Sequence, residues 1–272
     1  MKSLEIIKLA LKEDIGSGDI TTKLTISAGQ KIKARIIAKE KGIVCGLAVA
    51  ELVFKTVDKN IRFKPATSDG KQVKKGQVLA RLEGKAVSIL KAERVALNFL
   101  SHLSGIATLT NRYVQKVKPY KVKIMDTRKT TPGLRSLEKC AVRCGGGVNH
   151  RLGLWDQVLI KDNHLKGLRL KEIIKKVKQK RPKSMKIEVE VKNLRQFKQA
   201  LEARPDIIML DNFSLTNIKK AVKIKSASVK IEVSGGVNLS NARRIAATGV
   251  ERISVGELTH SASALDIALD CE

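Results

Sequence analysis

Six short apolar runs between Tyr120 and Gly256 each end in side chains or glycines suited to gripping charge. VKIM leads into Asp126, Arg128 and Lys129, and VLI into Lys161, Asp162 and His164. IEVEV carries Glu188 and Glu190, and IIML leads into Asp211 and Asn212. KIEV carries Glu232 and leads into Ser234, Gly235 and Gly236, and RISV leads into Gly256. Arginine offers a carboxylate or phosphate two parallel hydrogen bonds and lysine a point charge. Arg128, Lys129, Arg151 and Lys161 therefore make a basic set for an anionic substrate. Glu190 and Asp211 are hard oxygen donors of the kind Mg²⁺ accepts when substrate phosphates and water supply the rest. Ser234, Gly235, Gly236 and Gly256 precede helical sequence, where unobstructed backbone N–H groups hold phosphate oxygens. The combination reads as a site for a phosphorylated, polyanionic substrate with Mg²⁺ and a second anion. Singly, each feature has a plainer reading: Lys161 as a lysine reaching to solvent, Asp211–Asn212 as a helix cap, Glu188 and Glu232 as partners of structural lysines. Together they outweigh it, because ionisable groups gathered at one rim are costly unless they face each other or a charged ligand.

Such a set needs a sheet to position it. The later apolar runs alternate with NLRQFKQALEA, SLTNIKKAVKI and LSNARRIAATG, and strand–helix alternation predicts parallel strands. Because every strand ends in reactive groups, an incomplete (β/α) barrel is favoured over an open doubly wound sheet; in barrels the C-terminal strand ends form the site. Glu188 and Glu190 are two apart and share one face. In DTRKTTPGLR, Pro132 fixes its own φ and biases Thr131 away from helix, which steadies the loop carrying Arg128 and Lys129.

Residues 20–90 read differently, with alternating or β-branched runs that include KAVSIL, turns at Asp69–Gly70 and Glu83–Gly84, and a helix around GLAVAELVFKTV. The fold class is α/β: an N-terminal α/β sandwich domain over 1–108 and an α/β-barrel domain over 109–259, with a helix over 260–272 available to pack back on the first. A long helix from Glu93 carries apolar residues on too many sides for one stripe and is predicted to be buried over much of its surface.

The formal net charge is +28. Much of the excess lies on polar helix faces such as KEIIKKVKQKRPK, and aromatics are only 3% of residues, so base-stacking platforms are scarce and nucleic acid is not the favoured partner. No run of about 18 apolar residues suggests a membrane span, and the simplest reading is cytoplasmic. Cys45, Cys140, Cys144 and Cys271 lack a zinc-knuckle spacing and read as buried thiols in a reducing compartment.

The motifs EDIGSGDITT, ERVALNFLSHLSGIAT, DTRKTTPGLR, KCAVRCGGGVNHRLGLWDQVLIKDNH, IEVEV, IMLDN, EVSGGV and ISVGELTHSASALDIALD, in that order, resemble the quinolinate phosphoribosyltransferase family almost end to end. The resemblance implies conversion of quinolinate and phosphoribosyl pyrophosphate to nicotinate mononucleotide, pyrophosphate and CO₂ with Mg²⁺. It implies a homodimer or a dimer-based higher oligomer, in which Arg94 is lent to the neighbouring subunit. It implies a quinolinate pocket of Arg128, Lys129, His150, Arg151 and Lys161, acids Glu190 and Asp211 near ribose and metal, and a phosphate-holding backbone at Ser234, Gly235, Gly236 and Gly256. Lys129, Lys161, Glu190 and Asp211 are the catalytic set it implies. Two rivals are a same-fold pyrophosphorylase-like protein linked to molybdate transport and a nonenzymatic basic nucleic-acid-binding protein; the intact basic motifs argue against the first and the strand-end acids against the second.

Overall fold

The computed structural model describes residues 3–161, 164 and 169–272. The chain divides into two compact units, one of residues 1–111, 130–146 and 261–272, the other of 112–129 and 147–260.

The first unit begins with α1 (Ser3–Ile15) and α2 (Ile20–Thr25), where Asp19 caps α2 by accepting the Thr22 N–H at 2.9 Å. It continues through β1 (Lys31–Ala38), β2 (Gly42–Ile43), α3 (Leu47–Val57), β3 (Arg62–Pro65), β4 (Gln72–Val73) and β5 (Val78–Lys85) into α4 (Ala86–Val117), whose last turns enter the second unit. On α4, Val95, Leu97, Phe99, Leu100, Leu103 and Ile106 are all buried, so this helix is enclosed over much of its surface. α5 (Arg135–Cys144) also belongs to the first unit.

Three local expectations change. Glu83–Gly84 is not a turn: β5 runs straight through it, with Gly84 opposite Ile32. A Cβ on Gly84 would stand 3.1 Å from Ile61 Cγ1, so this glycine serves close packing rather than chain reversal. KAVSIL is not a strand beyond Lys85, because α4 starts at Ala86 and buries Ala86, Ile89 and Ala92 at helical spacing. The tail over 260–272 is not a helix. It forms β12 (Ile267–Cys271), antiparallel to β1 with Ala38 opposite Ile267, in a sheet ordered β12-β1-β5-β3. Leu265 and Ile267 are buried with an exposed Asp266 between them, the alternation of a strand.

The second unit holds six parallel strands: β6 (Lys123–Met125), β7 (Val158–Ile160), β8 (Ile187–Val191), β9 (Ile207–Asp211), β10 (Lys230–Ser234) and β11 (Arg252–Ser254). The helices α6 (Leu170–Lys180), α7 (Leu194–Ala203), α8 (Leu215–Ile224), α9 (Ala242–Ala246) and α10 (Glu257–His260) follow strands β7 to β11 in turn. The sheet order is β6-β11-β10-β9-β8-β7. Each later strand lies beside its predecessor, and the first strand pairs with the last, as in a ring left open between β6 and β7. That is an incomplete barrel rather than an open doubly wound sheet. Along β8, Ile187, Val189 and Val191 are buried on one face, while Glu188 and Glu190 share the other. No helix among the described residues is long and apolar enough to cross a membrane.

Candidate active site

The strand ends of the second unit build two layers of charge. The deeper layer centres on His150, which is only 8% exposed. Its Nε2 lies 3.1 Å from Glu188 Oε2 and 3.4 Å from Glu232 Oε1, and both glutamates are fully buried. The His150 Nδ1 accepts the Arg151 backbone N–H at 2.8 Å, so the ring presents its Nε2–H to the carboxylates. Further donors complete the layer. Gln157 Nε2 donates to Glu188 Oε2 at 2.6 Å, Ser254 Oγ donates to Glu232, and Arg252 Nη1 stands 3.7 Å from Glu232 Oε2. Burial pulls the His150 pKa down, but the adjacent carboxylates of Glu188 and Glu232 outweigh it and raise it to about 9. Burial, reinforced by the neighbouring Glu232, lifts Glu188 above the usual carboxylate range. Both shifts favour a proton held within the cluster. Asp126, also fully buried, accepts the His150 backbone N–H at 2.8 Å and the Asn149 side-chain amide, which fixes the segment entering Arg151.

The shallower layer is the rim. Lys161 at the end of β7 is ion-paired with Glu190 on β8, and the lysine side chain is 40% exposed while the glutamate side chain is 11% exposed. Arg151 is buried, donates from Nη1 to the Gln157 carbonyl at 3.2 Å, and has its pKa lowered by burial and then by the nearby charge of Arg128. Two guanidiniums close enough to repel form a receptor for an anion. Asp211, half-buried at the end of β9, accepts from the Asn212 side-chain amide at 3.1 Å.

The glycine end lies beyond β10 and β11. Gly235 and Gly236 have φ of +83° and +62°, and a Cβ on Gly235 would stand 2.4 Å from Asn212 Oδ1. Asn212 itself has φ of 55°, and its N–H donates to the Ser234 carbonyl at 2.9 Å. A cleft of about 340 Å³ opens here between Asn212, Gly235, Gly236, Asn241 and Arg244. The helix after it is one short turn from Ala242, so backbone N–H groups of the loop matter more than a helix dipole.

The structure therefore brings Arg128, Arg151, Lys161, Glu190, Asp211, Ser234, Gly235, Gly236 and Gly256 to the strand ends of one unit. Two expected members have contacts that the sequence did not show. Lys129 was grouped with the pocket bases, but its Cδ would lie 3.2 Å from a Cβ on Gly256, and its carbonyl accepts from Thr259 Oγ1 at 2.6 Å. Since β6 pairs with β11, Lys129 reaches the glycine end. His150 was also grouped with those bases; it is withdrawn into the deeper layer, where two carboxylates already face it. Arg94 is exposed on α4 in the other unit. Arg135 braces its own loop, with Nε donating to Thr130 Oγ1 at 2.9 Å. His164 accepts the Lys161 backbone N–H at 3.0 Å, and Asp162 lies outside the described residues. Sequence reasoning missed Gln157, Arg252 and Ser254; for the last two the signal is their spacing on β11, two apart and so on one face.

The donor set also bears on Mg²⁺. Among the described residues, no third histidine, cysteine or carboxylate joins Glu190 and Asp211 in a ligand cluster. This suits an ion held chiefly by substrate oxygens and water, with one or two carboxylates nearby, and not a dedicated protein cage.

Comparison with known proteins gives a consistent picture. Residues 19–104 match the family model described as quinolinate phosphoribosyl transferase, N-terminal domain, and residues 106–270 match the model for the C-terminal domain. The chain is 43% identical to a probable nicotinate-nucleotide pyrophosphorylase [carboxylating] of Bacillus subtilis, covering 99% of this chain and 94% of that protein. It is 46% identical to a protein of the same description from Methanocaldococcus jannaschii, covering 98% of this chain and 96% of that one. The structure of the nicotinate-nucleotide pyrophosphorylase from Francisella tularensis superposes with a TM-score of 0.94 at 42% identity, covering 99% of this chain and 96% of the other.

Proposed function

The chain belongs to the quinolinate phosphoribosyltransferase family, and from that premise we propose that it transfers the phosphoribosyl group of phosphoribosyl pyrophosphate to quinolinate with loss of CO₂. The products are nicotinate mononucleotide and pyrophosphate, a step of NAD biosynthesis. The observation that carries this reading is the rim, where Arg151 and Arg128 stand close enough to repel and Lys161 lies beside Glu190.

Quinolinate carries two carboxylates on adjacent ring carbons. Arg128, Arg151 and Lys161 bind them and orient the ring nitrogen toward the anomeric carbon of the ribose, which removes much of the entropic part of the barrier. The N–C bond forms as the C–O bond to pyrophosphate breaks, and positive charge develops on the sugar. Glu190 and Asp211 stabilise that charge from the rim. The Ser234–Gly236 loop and Gly256 hold phosphate through backbone N–H groups, and Lys129 reaches the same end. Glu190 and Asp211 are the carboxylates that would lie beside a substrate-borne Mg²⁺, which would supply charge neutralisation of the leaving pyrophosphate. Ribosylation makes the ring nitrogen cationic and draws electrons from the adjacent carbon; its carboxylate leaves as CO₂ and the carbon takes a proton. No covalent enzyme intermediate is needed. The exposed Arg94 is the side chain a second subunit would receive, and the functional unit is a homodimer or a multiple of it in the cytoplasm.

Incubation of the protein with quinolinate, phosphoribosyl pyrophosphate and Mg²⁺ tests the reading. Nicotinate mononucleotide, pyrophosphate and CO₂ should appear in equal amounts, and nicotinic acid should not replace quinolinate. Absence of product at every Mg²⁺ concentration overturns it.

A further inference from the structure

All four of the chain's cysteines lie in the first unit, and the proposed reaction uses none of them. Cys140 and Cys144 lie one turn apart on α5, Cys45 lies between β2 and α3, and Asp69 lies in the turn before β4. The Sγ atoms of Cys45 and Cys144 and a carboxylate oxygen of Asp69 are all within 4.8 Å of one another. The reading of these thiols as uniformly buried does not hold: Cys45 is buried, Cys140 and Cys144 are half-buried and Cys271 is exposed.

Each donor is held by its own backbone. The Cys45 N–H donates to Ser104 Oγ at 2.9 Å, and Ser104 Oγ donates back to the Cys45 carbonyl at 3.1 Å. Asp69 Oδ1 accepts the Leu47 N–H at 3.1 Å. Gly70 has φ of +83°, and a Cβ there would stand 3.4 Å from the Cys144 carbonyl, so the Asp69 turn is pressed against the end of α5. A Cβ on Gly145 would stand 2.4 Å from the Ala107 carbonyl, which fixes that end against α4.

We propose that Cys45, Cys144 and Asp69, with water as the fourth ligand, form a binding site for one thiophilic divalent cation of the zinc class. Tetrahedral zinc takes sulfur at about 2.3 Å and carboxylate oxygen at roughly 2.0–2.2 Å, which sets the ligand atoms about 3.5–3.8 Å apart. The observed donors need only small inward movements to reach that spacing. A bound cation would displace the thiol protons and neutralise the two sulfurs beside the Asp69 carboxylate. The sequence spacing gave no zinc signature because the donors come from three separate segments.

Chelator-treated protein kept in reductant and titrated with Co²⁺ and then Zn²⁺ provides the test. One Co²⁺ per chain should bind with the intense absorption of thiolate-ligated, tetrahedral cobalt, and Zn²⁺ should displace it. C144S should weaken binding by about a hundredfold and D69N by about tenfold, while C271S should bind as the wild type does. D69N keeps the test open if C144S fails to fold. Cobalt binding without thiolate absorption, or binding unchanged in both C144S and D69N, overturns the proposal. So does a disulfide between Cys45 and Cys144 that persists in the reductant and leaves no thiolate for the metal.

Discussion

Glu188 and Glu190 sit two residues apart on one face of β8, yet they live in different electrostatic worlds. Glu188 is sealed against His150 and Gln157 with no exposure, whereas Glu190 faces a lysine that is 40% exposed. The deeper pair is fixed because water cannot replace either partner; in the outer pair the lysine reaches solvent, so water or substrate can take its place beside Glu190. One strand thus supplies both a brace and a working group, and depth alone separates them.

The comparison breaks most visibly at the rim. Lys161→Ala should lower kcat/KM by roughly a thousandfold, about 4 kcal/mol of transition-state stabilisation, with a urea midpoint close to that of the wild type. A large loss of stability in this variant would erase the distinction between the layers. Next, Glu188→Ala leaves His150 and Gln157 facing a cavity and should cost about 3 kcal/mol of folding stability by urea denaturation. Its turnover per folded molecule should fall far less than that of Lys161→Ala, and the reverse ranking would show that Glu188 acts on substrate. The smallest expected effect is on pH. The folded cluster keeps a proton near pH 9 that an unfolded histidine releases near 6.5. Its contribution is therefore complete below pH 6.5 and fades as pH rises through about 9, a loss of at most about 3 kcal/mol. Thermal unfolding between those pH values should show this decline, and Glu188→Gln should flatten it; an unchanged slope in that variant would place the proton elsewhere.

What was legible in the sequence followed chain-local rules. The six strands of the second unit were visible because apolar runs such as IEVEV and IIML are short, β-branched and punctuated by polar residues. The strand-end bases and acids were visible for the same reason. The partners of His150 were not legible because they come from β8 and β10, and only closure of the sheet brings them to one ring. The contact of Lys129 with Gly256 was hidden because β6 pairs with β11, a neighbour far away in sequence. The C-terminal tail was misread because Ala and Leu in SALDIALD favour helix locally, while the free edge of β1 offered backbone hydrogen bonds that a strand could use.

Strand β12 has a consequence for how the molecule is made. The second unit closes at His260, whereas β1 gains its edge partner only when residues 267–271 have emerged. The edge of β1 thus stays open while the whole intervening second unit is synthesised, and a chain that lacks β12 keeps that edge, inviting association with other such chains.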